Sequence, residues 1–215
     1  MSQERAVSVL ISGRGSNLKS LHENRRGYRI TTVLSNRADA AGLEYARSQG
    51  IPTVVVNRED HSSLLACKAA VLEATLSSKP DLVALAGFMM VLQPDFIEAF
   101  SGRLINIHPS LLPEFPGLDT HARAVAAGVS RHGCSVHFVD SGVDTGPLIA
   151  QAALDLRPED TASSAATRVL ALEHALYPWA LSSLASGEIS LQGRSVRYSD
   201  SARREAEANR YTIFP

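Results

Sequence analysis

Two side chains able to act on a carbonyl stand two residues apart in Leu104-Ile105-Asn106-Ile107-His108-Pro109-Ser110-Leu111-Leu112-Pro113. Side chains alternate faces along a strand, so Asn106 and His108 share one side and Ile107 takes the other. Pro109 has no N–H and ends the ladder, which leaves both polar groups at the carboxyl end of the strand. An amide there can donate to an oxygen that becomes negative. An imidazole can hold or move a proton near neutral pH. The plain alternative is a buried polar pair satisfied by backbone, which is the commoner fate of a lone strand histidine. The proline-rich loop that follows tips the reading toward chemistry.

Carboxylate partners could come from the loop Asp140-Ser141-Gly142-Val143-Asp144-Thr145-Gly146-Pro147. A carboxylate beside His108 would raise its pKa by favouring the charged ring. Such aspartates also shape turns for their own sake. Spacing alone does not bring Asp144 to His108.

A second constellation follows the first strand: Ser12-Gly13-Arg14-Gly15-Ser16-Asn17-Leu18. Glycines here let the backbone turn tightly and bring N–H groups close to a ligand, and the next helix points its positive end at the same place. Leu18 occupies the third small-residue position of the dinucleotide fingerprint, so that motif fails. The Walker loop fails for want of Gly-Lys-Ser/Thr. A generic phosphate or carboxylate cradle remains, against a purely structural turn.

Other candidates carry less. In His132-Gly133-Cys134-Ser135-Val136-His137, strand alternation turns His132 and Cys134 away from His137, so a three-ligand metal site is not expected. No Gly-x-Ser-x-Gly elbow occurs. Phe88-Met89-Met90 reads as core or as the wall of an apolar pocket. Glu173-His174 lies within a long helical stretch, where a surface position is the default.

The elements that must position these residues alternate. Strands are expected over Ala6–Ile11, Ile30–Leu34, Pro52–Val56, Asp81–Ala86 and Arg103–Ile107. Helices are expected over Ser16–Glu23, Asp39–Gln49, Asp60–Leu76 with Asp60 as N-cap, and from Pro94 to Phe100. This order predicts a single-domain α/β fold, doubly wound, with a mostly parallel sheet and helices on both faces. Helix His121–Ala127, strands Cys134–Val139 and Pro147–Leu154, and the longest helix, Thr161–Tyr177, come next. Short strands near Ile189 and Val196 precede a charged, unpatterned tail from Tyr198.

Composition sets outer limits. The 215 residues carry 21 basic and 22 acidic side chains, a balance that disfavours a nucleic-acid coat. The longest apolar run, Leu82 to Leu92, is about half of the ~20 residues a membrane helix needs. The first residues run straight into a strand, so no signal peptide is expected. Cys67 and Cys134 read as two buried thiols.

Taken together, Ile11 to Leu18, Ala86 to Met89, Asn106 to Pro113, Ser135 to Val139, Asp144 to Pro147 and Glu173-His174-Ala175-Leu176-Tyr177-Pro178 resemble the phosphoribosylglycinamide formyltransferase family. The Asn-x-His-Pro block marks the wider formyltransferase superfamily. The glycine turn and the Glu173 block narrow it.

The resemblance implies the Rossmann-like formyltransferase fold, over residues 1–197, followed by a tail at 198–215. It implies Asn106, His108 and Asp144 as the catalytic trio. Gly15, Ser16, Asn17 and Glu173 would hold the ribonucleotide. Met89, Met90, Val91, Leu92, Arg103, Asn106 and the loop Asp140, Ser141, Gly142, Val143 and Asp144 would line the pocket for 10-formyltetrahydrofolate. Similar enzymes often carry Arg where Met90 stands, and a basic residue where Leu64 stands; Lys68 and Arg103 are the cations expected to meet the folate tail instead.

The resemblance further implies formyl transfer to a small-molecule amine, with the folate as cosubstrate and no metal. The enzyme would be cytoplasmic, a monomer or homodimer, without nucleic-acid or membrane partners. The rivals are transfer to a nucleotide sugar or methionyl-tRNA, 10-formyltetrahydrofolate hydrolysis, and a non-catalytic nucleotide-binding module. The tRNA enzyme and the hydrolase are expected to carry further domains, which the short remainder of this chain would not hold.

Overall fold

The structure, a computed structural model, describes residues 4–214. The chain divides into two compact units that meet in sequence between Ile105 and Asn106.

The first unit alternates strand and helix: β1 (Arg5–Ile11), α1 (Ser16–Glu23), β2 (Tyr28–Ser35), α2 (Ala41–Ser48), β3 (Thr53–Val55), α3 (Leu64–Ser77), β4 (Leu82–Leu85) and α4 (Pro94–Ala99). β1 pairs in parallel with both β2 and β4, and β2 with β3. A strand flanked on both edges and covered on both faces reads as a near-continuous apolar run, broken in β1 only by Ser8, whose buried hydroxyl pairs with Ser78 Oγ at 2.8 Å. Accordingly Val7, Val9, Leu10 and Ile11 are fully buried. Each such side chain contributes roughly 1.5–3 kcal/mol.

β1 delivers the chain to the glycine turn. Gly15 adopts φ +76°, and a Cβ on it would lie 2.6 Å from Cα of Gly42. Gly42 N–H donates to the Gly13 carbonyl. The second glycine of the turn therefore lets the start of α2 close on the start of α1. The expected N-cap Asp60 is replaced. Residues 58–60 form one 3-10 turn, and α3 starts later, with Ser63 Oγ accepting from Ala66 N.

β5 (Leu104–His108) runs across the boundary in sequence. The second unit continues with α5 (Thr120–Ala126), β6 (Arg131–Phe138), β7 (Leu148–Asp155), α6 (Ala162–Ala185), β8 (Ile189–Gln192), β9 (Ser195–Tyr198), α7 (Asp200–Ala208) and β10 (Thr212–Ile213). β6 and β7 are antiparallel, with a register shift between Val136 and His137. α6 packs on β6 and β7 and runs eight residues past the expected end at Tyr177. Pro178 sits inside it, within the buried run Leu176 to Ala185. Burial of that run outweighs the cost of an interior proline.

Residues 198–214 form regular elements, contrary to their unpatterned sequence. Ser199 caps α7, which buries Ala202 and Ala206 on one face. The residues after it add β10 antiparallel to β7. Tyr198 Oη donates to the Ile149 carbonyl at 2.6 Å.

Among the described residues no helix is long and apolar enough to cross a membrane. Cys67 and Cys134 are buried free thiols, as expected.

The Gly15–Gly42 contact gives a stability test. Gly15→Ala combines a steric clash with a left-handed backbone and should destabilise by ~2–4 kcal/mol. A urea midpoint equal to that of the wild type would contradict the close approach.

Candidate active site

The second unit gathers the sequence-predicted trio. Asn106 and His108 end β5, half-buried and buried respectively. Asp144 lies in the β6–β7 connection with φ +56°. Its Oδ2 is 3.3 Å from His108 Nδ1 and accepts from Gly117 N–H at 2.8 Å. Its Oδ1 is 3.6 Å from His137 Nε2. The carboxylate therefore stands between two imidazoles. Each aspartate of the loop has its own job. Asp140 shapes the turn, accepting from Gly142 N–H and Thr145 Oγ1 and pairing with Arg194. Asp144 serves the site.

His137 was not among the sequence-predicted site residues, yet it links Asp144 to Asn106. Its Nδ1 is 2.8 Å from the Phe138 carbonyl, which can only accept, so Nδ1 carries a proton. Nε2 lies 3.1 Å from Asn106 Nδ2: without a proton it accepts from Asn106, and with one it donates to Asp144. The second amide hydrogen of Asn106 is left for another acceptor. Two residues on from Ser135, His137 shares that residue's face of β6, but nothing in the sequence marks that face as the one that meets Asn106. The register shift beside it is a device that commonly re-aims a side chain at a site.

The same logic applies to His108. Nε2 is 3.0 Å from the Phe115 carbonyl and must donate. A proton on Nδ1 would complete the contact to Asp144 as well. Burial nevertheless pulls the His108 pKa below its ordinary value; the Phe115 bond and Asp144 pull the other way without overcoming it. Asp144 thus acts on the ring in the expected direction, and burial outweighs it. Burial also pushes Asp144 up, but His137, the Gly117 N–H and His108 together hold its carboxyl below the usual range. The resting pair is a carboxylate beside an imidazole with a vacant, well-placed proton site.

The remaining candidates divide between the units. In the first, Ser12 Oγ accepts from Met89 N–H at 2.7 Å and donates to Asn36 Oδ1. That bond ties the glycine turn to the segment after β4. Ser16 and Asn17 begin α1, which has no side-chain cap. Met89 and Val91 are 67% and 65% exposed, so the core reading of the methionine segment fails; Met90 and Leu92 are half-buried. Leu64 is also exposed. Arg103 donates to the Ala99 and Pro80 carbonyls and lies over the Phe100 ring. In the second unit Ser141, Gly142 and Val143 are exposed, whereas Glu173 is buried on α6, not at the surface as its helical setting suggested. Among the described residues no group of three or more His, Cys, Asp or Glu is placed to hold a metal ion.

A family model for formyl transferase matches residues 5–181. The phosphoribosylglycinamide formyltransferase of Escherichia coli is 42% identical over 189 residues, which cover 86% of this chain and 89% of the relative. The chain belongs to the phosphoribosylglycinamide formyltransferase family. The solved glycinamide ribonucleotide transformylase 1 of Symbiobacterium toebii is 42% identical, with a TM-score of 0.89 over 93% of this chain and 96% of that one. The phosphoribosylglycinamide formyltransferase of Coxiella burnetii gives 43% and 0.87 over 91% and 94%. The fold is therefore the mostly parallel α/β fold of these formyltransferases, as expected. A longer relative, the trifunctional purine biosynthetic protein adenosine-3 of Drosophila melanogaster, is 42% identical, and the chain spans 14% of its length.

Behind this site lies a histidine pair with a pH signature. His132 Nε2 is 3.0 Å from His121 Nδ1. Burial, then repulsion from His121 and His108, pushes the His132 pKa down to about 4. Unfolded, the ring takes a proton near ~6.5. The unfolded state thus binds more protons between pH 6.5 and 4, and stability falls as pH drops through that window, by up to about 1.4 kcal/mol per unit. Urea midpoints recorded across it should fall in the wild type and fall less in His132→Phe; parallel curves would place the titration elsewhere.

Proposed function

We propose that this chain transfers the formyl group of 10-formyltetrahydrofolate to the glycinamide amine of 5'-phosphoribosylglycinamide, a step of purine synthesis, in the cytoplasm. The observation that carries the reading is Asp144 held between His108 and His137, with the Asn106 amide beside them. Membership of the phosphoribosylglycinamide formyltransferase family favours this acceptor over tRNA or a nucleotide sugar. Residues 1–197 form the catalytic domain in this reading, working as a monomer or homodimer.

The site suits direct attack. The amine adds to the formyl carbon, and the carbonyl electron pair moves onto oxygen. Asn106 donates its second amide hydrogen to that oxyanion. Both nitrogens of His108 already have partners, so His108 acts through its charge. As negative charge grows on oxygen, His108 takes a proton from solvent on Nδ1 and donates that N–H to Asp144, and the proton returns to solvent once the oxyanion has collapsed. Asp144, through a water, carries the proton from the attacking amine to the folate nitrogen, whose bond to the formyl carbon then breaks. No covalent enzyme intermediate and no metal take part.

The start of α1, at Gly15, Ser16 and Asn17, is suited to the substrate phosphate by its dipole and its close backbone. The buried Glu173 carboxylate would bind the rest of the ribonucleotide. Exposed Met89 and Val91, with Met90, Leu92, Arg103 and residues 140–144, would receive the folate.

An absorbance assay for tetrahydrofolate formation with 5'-phosphoribosylglycinamide tests the reading; folded protein without turnover would defeat it. Asn106→Ala should lower kcat by about 10²–10³. Asp144→Asn should depress kcat far more than it raises KM, and near-wild-type turnover would remove its assigned role.

A further inference from the structure

The segment after β5 supplies two backbone groups to the site: the Phe115 carbonyl to His108 and the Gly117 N–H to Asp144. Something must hold that segment, since hydrogen bonds to a wandering carbonyl would fix no tautomer. The structure assigns this task to Gln151, a residue of β7 that touches none of the catalytic side chains. We propose that Gln151 is a positioning residue, acting through Ser135 and the 110–115 backbone on His108. The inference rests on the catalytic reading of His108 given above.

The bonds leave little freedom. Gln151 Nε2 donates to the Leu112 carbonyl at 2.7 Å and to Ser135 Oγ at 2.9 Å. Ser135, opposite Gln151 in the β6–β7 register and fully buried, donates its one hydroxyl hydrogen to the Ser110 carbonyl at 2.6 Å. It accepts from Leu112 N–H at 3.0 Å. Its donor and both acceptor sites are then used. Because that hydrogen is spent on Ser110, and because the Leu112 carbonyl can only accept, Gln151 must present its NH2 group to both. No flip of the amide satisfies the site. Ser110 Oγ carries the bracing onward, donating to the Glu114 carbonyl at 2.6 Å and lying 3.3 Å from the Phe115 carbonyl. A continuous set of bonds thus links the Gln151 amide to the oxygen that receives the His108 Nε2 proton.

An isosteric change breaks the set at its source. Gln151→Glu replaces both donors with acceptors and sets a carboxylate oxygen against the Leu112 carbonyl. Gln151→Leu removes the donors without adding charge. In either variant the segment loosens, the Phe115 bond to His108 weakens, and Nε2–H loses its advantage over Nδ1–H. Loss of an acceptor also disfavours the imidazolium. His108 should therefore titrate lower than in the wild type. The other charged or titratable groups facing it, namely Asp144 and His137, Arg123 on α5, and the His121–His132 pair, are unchanged in these variants.

The test is nitrogen-15 NMR of the histidine rings in the free, full-length protein, followed from pH 8 to 5, with steady-state kinetics alongside. In the wild type the His108 shifts should report the Nε2–H tautomer. In Gln151→Leu they should move toward a mixture of tautomers, the midpoint should fall, and kcat should drop about tenfold or more with KM for both substrates within about twofold. Ser110→Ala, which removes only the last link, is the second variant should Gln151→Leu fail to fold; it should move the same His108 signals. A folded variant with a lower melting temperature but unaltered His108 shifts, midpoint and kcat would reduce Gln151 to a structural residue and overturn the proposal. Because the NMR readout needs no turnover, a failure of the formyl-transfer reading leaves it intact and separately decidable.

Discussion

The site depends on keeping one carboxylate ionised while it is largely removed from water. An unpaired buried charge is prohibitively costly. Asp144 escapes that cost through the Gly117 N–H at rest and through His108 and His137 whenever their facing nitrogens carry a proton, and these partners hold its pKa below the usual range. Each partner comes from a different part of the second unit: the end of β5, the end of β6 and the loop before α5. The backbone bends to allow it. Asp144 itself is left-handed, and Gly146 passes so near the Phe138 carbonyl that a Cβ would lie 1.8 Å from its oxygen. The turn between β6 and β7 is thus shaped by the need to deliver one anion.

The carboxylate and the imidazole want opposite things from burial. Burial alone would protonate Asp144 and deprotonate His108. Hydrogen bonds reverse the first effect and only oppose the second. The result is an anion next to a ring that is neutral but lacks only one proton to satisfy every contact. A group in that state answers to small changes in its surroundings. Negative charge developing on a bound carbonyl is such a change, which is why a resting neutral His108 suits the proposed chemistry better than a permanently charged one.

Much of this was legible in the sequence because it follows strand periodicity. Asn106 and His108 share a face because they are two residues apart, and Pro109 fixes where the strand stops. The alternation of apolar runs with helical stretches gave the fold class. The failures are equally physical. Helix α6 outruns Pro178 because the following residues are buried, which propensity does not record. Glu173 is buried because its face of that long helix turns inward, where its charge lies near enough to Cys134 to help raise that thiol's pKa beyond the effect of burial. The direction of the His108 shift needed the balance between desolvation and Asp144, and sequence supplies only the second. His137 and Gln151 escaped because their roles come from partners far along the chain.

Those two residues show how the work is divided. In the proposed reaction the side chains that meet the reacting atoms come from the end of β5 and from the β6–β7 connection, but the groups that fix their protons are mostly backbone: the Phe115 and Phe138 carbonyls and the Gly117 N–H. A carbonyl accepts and never donates, so it settles a histidine tautomer without ambiguity. It has no pKa of its own to drift. The price is that a loop carbonyl is only as well placed as its loop, and Ser135 and Gln151 hold that loop by bonding its backbone at Ser110 and Leu112. Tautomer control at His108 is therefore a property of the whole 110–117 segment, and substitutions there act on proton chemistry even when the altered side chain points away from it.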